Sequence, residues 1–205
     1  MASSGGASEP GPGCEPEQTD LEAARSDSRA FERLYDAYFP RVYAYVRYRV
    51  AGQQDAEDIV AGVFLRAVEA LRGGRFEWRH SGSFAAWLFR IAHNAVADHH
   101  RHATPISSLP LDDLPGLESD SPPPGDDLLR SEQTAELQRL VAALSPRRQE
   151  VVTLKFYGGL RNSEIAAVLG LDERSVASHL CRALDDLHRL YLAGEIAETE
   201  ARDDR

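Results

Sequence analysis

Arg174, Ser175, Ser178, His179 and Arg182 recur at spacings of three and four, so a helix through them carries cations and hydroxyls along one side. Groups of that kind reach phosphates and base edges when a helix lies in a DNA major groove. A second set is Arg75, Phe76, Trp78 and Arg79, where rings alternate with guanidinium groups in a stretch that opens on Gly73-Gly74 and closes on Gly82. The alternation has two readings. It forms a cradle in which single-stranded bases stack on the rings while arginines hold phosphates, or Phe76 and Trp78 plug the gap between helices. A third set, Asp55, Glu57 and Asp58, crowds three carboxylates into one helical turn. Nothing nearby completes a metal or acid–base site, so the trio reads as a solvated helix start or a surface for a partner. His93, His99, His100 and His102 lack a neighbouring cysteine or acid cluster, so no metal is assigned to them. A partly positive helix end near nucleic acid is the simpler account, and no cofactor is expected.

These residues need helices to position them. Asn162 to Gly170 reads as a short helix, with Ile165, Ala166, Val168 and Leu169 on its buried side and Gly170 ending it. Leu171-Asp172 is the turn, and Asp172 is placed to cap a second helix from Glu173 to Tyr191. Val176, Leu180, Ala183, Leu184, Leu187 and Leu190 give that helix a core face. The layout is that of a helix-turn-helix, or otherwise of an ordinary helical hairpin.

Upstream, Ala30 to Tyr38 forms a helix with Phe31, Leu34, Tyr35 and Tyr38 on one stripe, and Pro40 begins the next, through Arg49. At that spacing the tyrosines belong mostly to a core rather than to base stacking. Gln53 to Arg72 is a further helix, with the carboxylates near the positive end of its dipole and Ile59, Val60, Val63, Phe64, Val68 and Leu71 as its apolar set. Ser83 caps an amphipathic helix with Phe84, Trp87, Leu88, Ile91, Ala95 and Val96 inside and Arg90, His93, Asn94, Asp98 and Arg101 outside or at the boundary. Ser145-Pro146 starts another helix, which Gly158-Gly159 stops.

The net charge of −10 sits badly with DNA binding until it is divided by segment. Residues 1 to 27 hold one basic residue against six acids, and residues 104 to 127 hold none against six. Residues 28 to 103 hold eleven against eight, and residues 128 to 192 nine against eight. The candidate folded parts are therefore slightly basic, and non-specific DNA affinity should be weak. The expected organisation is a disordered tail at 1–19, a helical domain at 20–103, an acidic linker at 104–127 holding six of the eleven prolines, a helix-turn-helix domain at 128–192 and an acidic tail at 193–205. No apolar run is long enough for a membrane span and no secretion signal opens the chain, so it should stay in the cytoplasm, with no membrane insertion. Cys14 and Cys181 define no disulfide framework, and Cys181 reads as a buried structural residue.

Three segments in order carry a family resemblance. They are Asp55-Ala-Glu-Asp-Ile-Val-Ala-Gly-Val-Phe-Leu-Arg-Ala67; Phe84 to Arg101, with Trp87-Leu-Phe-Arg-Ile-Ala-His-Asn94; and Leu144-Ser-Pro with Arg148-x-Val-Val, followed by Glu164-Ile-Ala-x-x-Leu-Gly170. Together they resemble the extracytoplasmic-function sigma factors of bacterial RNA polymerase, over roughly residues 28 to 192. The resemblance implies an all-α protein of two small helical domains, sigma regions 2 and 4, joined by a flexible linker. It implies that Asp55, Glu57, Asp58, Ile59, Val63 and Phe64 bind core RNA polymerase. It assigns minus-10 promoter DNA to Arg75, Phe76, Trp78, Arg79, Arg90, Asn94 and Arg101, and minus-35 DNA to Arg174, Ser175, Ser178, His179 and Arg182. The linker of such proteins threads toward the polymerase cleft, and an anti-sigma factor is a common partner. No catalytic residue is implied, since the polymerase performs the chemistry. Five positions depart from the family: Ala61 and Gly62 replace a Gln and an acid, Ala177 replaces a Lys, His179 replaces an Arg, and Arg161 stands where a capping Ser or Thr is usual. The rival readings are a stand-alone helix-turn-helix regulator and a sigma-like decoy that binds a regulatory partner.

Overall fold

The structure is a computed structural model that describes residue 16 and residues 18–80, 82–102 and 136–203; the side chains of residues 102 and 194–203 are not described. The expected linker and most of the expected N-terminal tail lie outside the described residues. Among the described residues every regular element is an α-helix: α1 (Gln18–Ala23), α2 (Ser28–Arg49), α3 (Gln53–Arg72), α4 (Ser83–His102), α5 (residues 136–142), α6 (Pro146–Phe156), α7 (Asn162–Leu169) and α8 (Glu173–Asp203). They belong to two compact units, the first running through His102 and also taking in Ala167–Leu169, the second holding the other described residues.

In the first unit α2 packs on α1, α3 and α4, and α3 packs on α4. Asp27 caps α2 by accepting the Arg29 amide at 2.9 Å, and the buried Arg47 closes its other end by donating to the carbonyls of Val50 and Ala51 at 3.0 and 3.1 Å. The expected break at Pro40 does not occur, because α2 runs unbroken through it. An internal proline costs a helix about 3 kcal/mol. Packing on both sides offsets that cost: Tyr38 meets Phe84 edge-on at 5.2 Å and Tyr45 meets Phe89 at 5.8 Å. Each buried ring or aliphatic side chain contributes about 1.5–3 kcal/mol, and Tyr38, Val42, Tyr45 and Val46 are all buried. Of the tyrosines expected in the core, Tyr35 is instead exposed. α1 starts at Gln18, two residues inside the stretch expected to be a disordered tail, and buries Leu21 against the domain.

In the second unit α6 packs on α8. Arg148 of α6 donates to Asp186 of α8, which also accepts from Arg189, so that acid faces its own domain. The Gly158-Gly159 stop is realised, with Gly159 at φ 63° and the Leu160 amide donating back to the Leu154 carbonyl at 3.1 Å. Gly170 ends α7 in the left-handed conformation at φ 66°, where a side chain would be strained. Arg161 precedes α7 with no capping hydroxyl, and Glu164 takes over that task. Its buried carboxylate accepts the Arg161 backbone amide at 2.7 Å and the Arg161 guanidinium at 2.6 and 2.9 Å.

Two expectations for α8 fail. The helix continues to Asp203, through most of the expected acidic tail. Leu184 and Leu190, expected in the core, are 50% and 37% exposed, whereas Val176 and Ala183 are buried. The apolar stripe of α8 is longer than the part that α6 covers.

Candidate functional site

Asp55, Glu57 and Asp58 emerge on the exposed side of the first turns of α3, as their helical phase requires. Gln53 donates to Glu57 at 2.8 Å, one turn along the same face. Ile59 is half-buried beside them. Val63 and Phe64, expected to touch a partner with these acids, are core residues at 0% and 7% exposure. The reason is geometric: α3 turns its 56, 60, 63, 64, 67 and 71 positions toward its neighbours. Sequence reasoning missed the apolar group that does lie outside, Leu65, which is 59% exposed. It follows Asp58 by seven residues, two helical turns, and that spacing was the available signal. Ala61 is exposed, and a Cβ on Gly62 would meet nothing within 4 Å, so the departures at these positions leave bare helix surface.

The loop after α3 begins with a reversal at Gly74, whose φ of 65° lets the Arg75 amide return to the Ala70 carbonyl at 2.8 Å. From there the two readings of the alternating stretch divide residue by residue. Phe76 is a plug at 4% exposure, edge-on to Phe84 at 5.6 Å and 4.8 Å from the Trp87 ring centre. It is removed from the candidate base-contacting residues. Arg75 and Arg79 are exposed and Trp78 is half-buried, so these three remain. Ser83 does not cap α4 from outside. It is the first helical residue, and its hydroxyl accepts the Arg79 amide at 3.4 Å, tying the end of the loop to the helix.

On α4, Arg90, Asn94 and Arg101 are exposed, spaced along the helix at four and seven residues, with Arg101 ion-paired to Asp98. The buried set contains Phe84, Leu88 and Val96 as expected, and also Phe89. His93 Nδ1 lies 3.2 Å from the Tyr45 hydroxyl. His100 is pushed below its ordinary value, chiefly by burial and next by the charge of Arg49. Among the described residues no three His, Cys, Asp or Glu side chains gather into a metal site.

In the helix-turn-helix, Asp172 caps α8 as expected, accepting the Ser175 amide at 2.8 Å and the Ser175 hydroxyl at 2.6 Å. Ser175 is therefore committed to the cap, while Arg174, Ser178 and Arg182 are exposed and His179 is half-buried. Cys181 is exposed on this helix, which corrects the expectation of a buried thiol. The two Ser175 hydrogen bonds, side chain first and backbone second, hold the Asp172 carboxyl below its ordinary 3.8. A lowered folded-state value means stability that is present above the ordinary value and lost as pH falls through the folded one. Thermal melts followed by circular dichroism should therefore show α8 losing stability as pH falls below the ordinary carboxylate range. Asp172→Ala should abolish that part of the pH dependence, whereas Asp172→Asn, which keeps an acceptor, should remain close to wild type at neutral pH.

Comparison with known proteins places this geometry among relatives. Residues 34–105 match the model of the family Sigma-70 region 2, and residues 134–187 match Sigma-70, region 4. The chain is 36% identical over 168 residues to the ECF RNA polymerase sigma factor BldN of Streptomyces coelicolor, an alignment covering 82% of this chain and 62% of BldN, less than two thirds of that protein. It is 31% identical over 194 residues to the ECF RNA polymerase sigma factor SigE of Mycolicibacterium smegmatis, covering 92% and 72% of the two chains. Among solved structures it is similar to CnrH in complex with the cytosolic domain of CnrY, with a TM-score of 0.62 and 25% identity over 85% of this chain and 95% of that one. The fold is also that of RpoE from Bartonella quintana, crystallised with the anti-sigma factor NepR, with a TM-score of 0.58 and 20% identity over 80% and 97%. Among the described residues no helix is long and apolar enough to cross a membrane.

Proposed function

Because the chain belongs to the extracytoplasmic-function sigma factors of the sigma-70 family, we propose that it binds bacterial core RNA polymerase through Asp55, Glu57, Asp58, Ile59 and Leu65 and directs it to promoters. Arg75, Trp78 and Arg79, with Arg90, Asn94 and Arg101 on α4, contact the melted minus-10 strand. Arg174, Ser178, His179 and Arg182 contact minus-35 duplex. The observation that carries this reading is the exposure pattern of the first unit. Around a closed aromatic core it leaves outside one patch of carboxylates and one loop in which a ring lies between two arginines.

Each part has a physical task. Extruding a base costs a few kcal/mol, and stacking on a ring returns about 1–3 kcal/mol per base. Trp78 supplies the ring while Arg75 and Arg79 neutralise phosphates. On α8, Ala177 offers no cation, so duplex contact rests on Arg174 and Arg182 at opposite ends of the face. The chain itself catalyses no reaction; the polymerase carries out phosphoryl transfer, in the cytoplasm. CnrH is in complex with the cytosolic domain of CnrY and RpoE with the anti-sigma factor NepR, and a comparable anti-sigma partner fits the exposed Leu137, Phe156, Leu184 and Leu190 of the second unit.

Gel-filtration co-elution with core RNA polymerase, followed by start-site mapping of the transcripts, tests the proposal. New discrete start sites that require the protein are expected. Binding to duplex DNA without polymerase would favour a stand-alone regulator instead. Binding to neither polymerase nor DNA would favour a decoy.

A further inference from the structure

The loop that presents Trp78 is held by a residue from a distant part of the chain. Arg25 lies just beyond the short helix α1, and its Nη2 donates to the Phe76 carbonyl at 3.2 Å, across a separation of 51 residues. α1 is itself fixed to the domain, with Leu21 and Ala24 each 2% exposed. Between α1 and the loop lies a cleft of about 300 Å³ lined by Gln18, Glu22, Arg25, Glu77 and Trp78. Gln18 donates to Glu22 across one helical turn at 2.8 Å on the α1 wall of the cleft. Phe76 is thus held from two directions. Its ring is buried against Phe84 and Trp87, and its carbonyl is held by Arg25.

We propose that Arg25 is a positioning residue for the minus-10 loop: by holding the Phe76 carbonyl it fixes the backbone from which Trp78 and its flanking arginines project. The inference rests on the sigma reading of that loop. Phe76 is buried, Glu77 is exposed, and Trp78 is half-buried where, with Glu77, it lines the α1 cleft, so part of its ring is open to meet a base. Without the Arg25 contact the loop loses the hydrogen bond that holds its middle while the Phe76 ring stays packed, and a less fixed Trp78 ring loses stacking affinity to the entropy of ordering it.

Two readouts in the full chain test this separately. In a Trp87→Phe background, fluorescence reports Trp78 alone. Arg25→Ala should shift its emission to longer wavelength and raise its accessibility to acrylamide about twofold or more, with no DNA present. In holoenzyme on a premelted duplex spanning a mapped start site, Arg25→Ala should weaken binding about tenfold, and Arg25→Lys should restore part of it. Arg29→Ala removes an equal charge nearby without touching the loop and should stay within about twofold of wild type. Because Arg25 acts through the loop, the slope of log affinity against log salt should not change. A slope lowered by about 0.7 would mean that Arg25 contacts a phosphate itself, and would overturn the proposal. An unchanged Trp78 spectrum would overturn it too. If Arg25→Ala fails to fold, Arg25→Lys decides by the same two readouts. A wild-type protein that directs no transcription would sink the sigma reading while leaving the fluorescence result to stand or fall alone.

Discussion

The Asp55→Ala, Asp58→Ala double variant is expected to bind core RNA polymerase about 100-fold more weakly than wild type while remaining folded. Each carboxylate is exposed on α3 and free to meet a cationic partner surface. A charge-assisted interfacial hydrogen bond is worth about 1.5–3 kcal/mol, so losing two removes about 3 kcal/mol or more, which is at least two decades in affinity. The cost to folding is smaller. Asp55 lies in the first turn of α3, where a negative charge complements the helix dipole by about 0.3–1 kcal/mol. Fluorescence anisotropy with labelled protein and purified core polymerase, beside a thermal melt, separates the two effects. Equal affinity of variant and wild type would move the polymerase-binding surface elsewhere. Raising salt should weaken the wild type more than the variant, since exposed charge pairs are screened.

Phe76→Ala and Trp78→Ala should produce opposite phenotypes although the residues lie two positions apart. Phe76 is buried at 4% exposure among Phe84 and Trp87, so its truncation leaves a cavity costing about 3–5 kcal/mol. That is a large fraction of the stability of a small domain. Trp78 is half-buried on the rim of the α1 cleft. Its removal should cost little stability but should remove about 1–3 kcal/mol of base stacking, a loss of about 5-fold to 150-fold in affinity for melted minus-10 DNA. Urea unfolding and binding to a premelted promoter duplex measure the two quantities. A destabilised Trp78→Ala with unchanged DNA affinity would make both rings plugs and would leave the loop arginines without a stacking partner.

Local signals in the sequence account for much of what the structure contains. Spacings of three and four place α3, α4, α6 and α7, because an α-helix repeats every 3.6 residues and its buried side must be apolar. Asp172, Gly170 and Gly158-Gly159 mark ends of helices, because a cap or a left-handed turn demands particular residue types at a single position. The exposed acids of α3 and the cations of α8 follow from the same periodicity.

What the sequence could not decide is which surface lies opposite which. Val63 and Phe64 share a helix with Asp58, and only the packing of α2 and α4 on α3 shows that they point inward. Pro40 is a break by local rules and an interior helical residue once Tyr38 and Tyr45 are anchored on α4. Leu184, Leu190 and Cys181 are exposed because burial needs a neighbour, and periodicity says nothing about where the neighbour ends. Phe76 and Trp78 have the same chemistry and the same flanking arginines, so composition alone leaves their roles interchangeable. The tertiary structure separates them by enclosing the Phe76 ring between α4 side chains, with its carbonyl held by a guanidinium 51 residues away along the chain, and by leaving Trp78 at a cleft edge. Caps and helical phase depend on residues within a turn or two of one another and can be read along the chain. Contacts between distant segments exist only once the helices have packed.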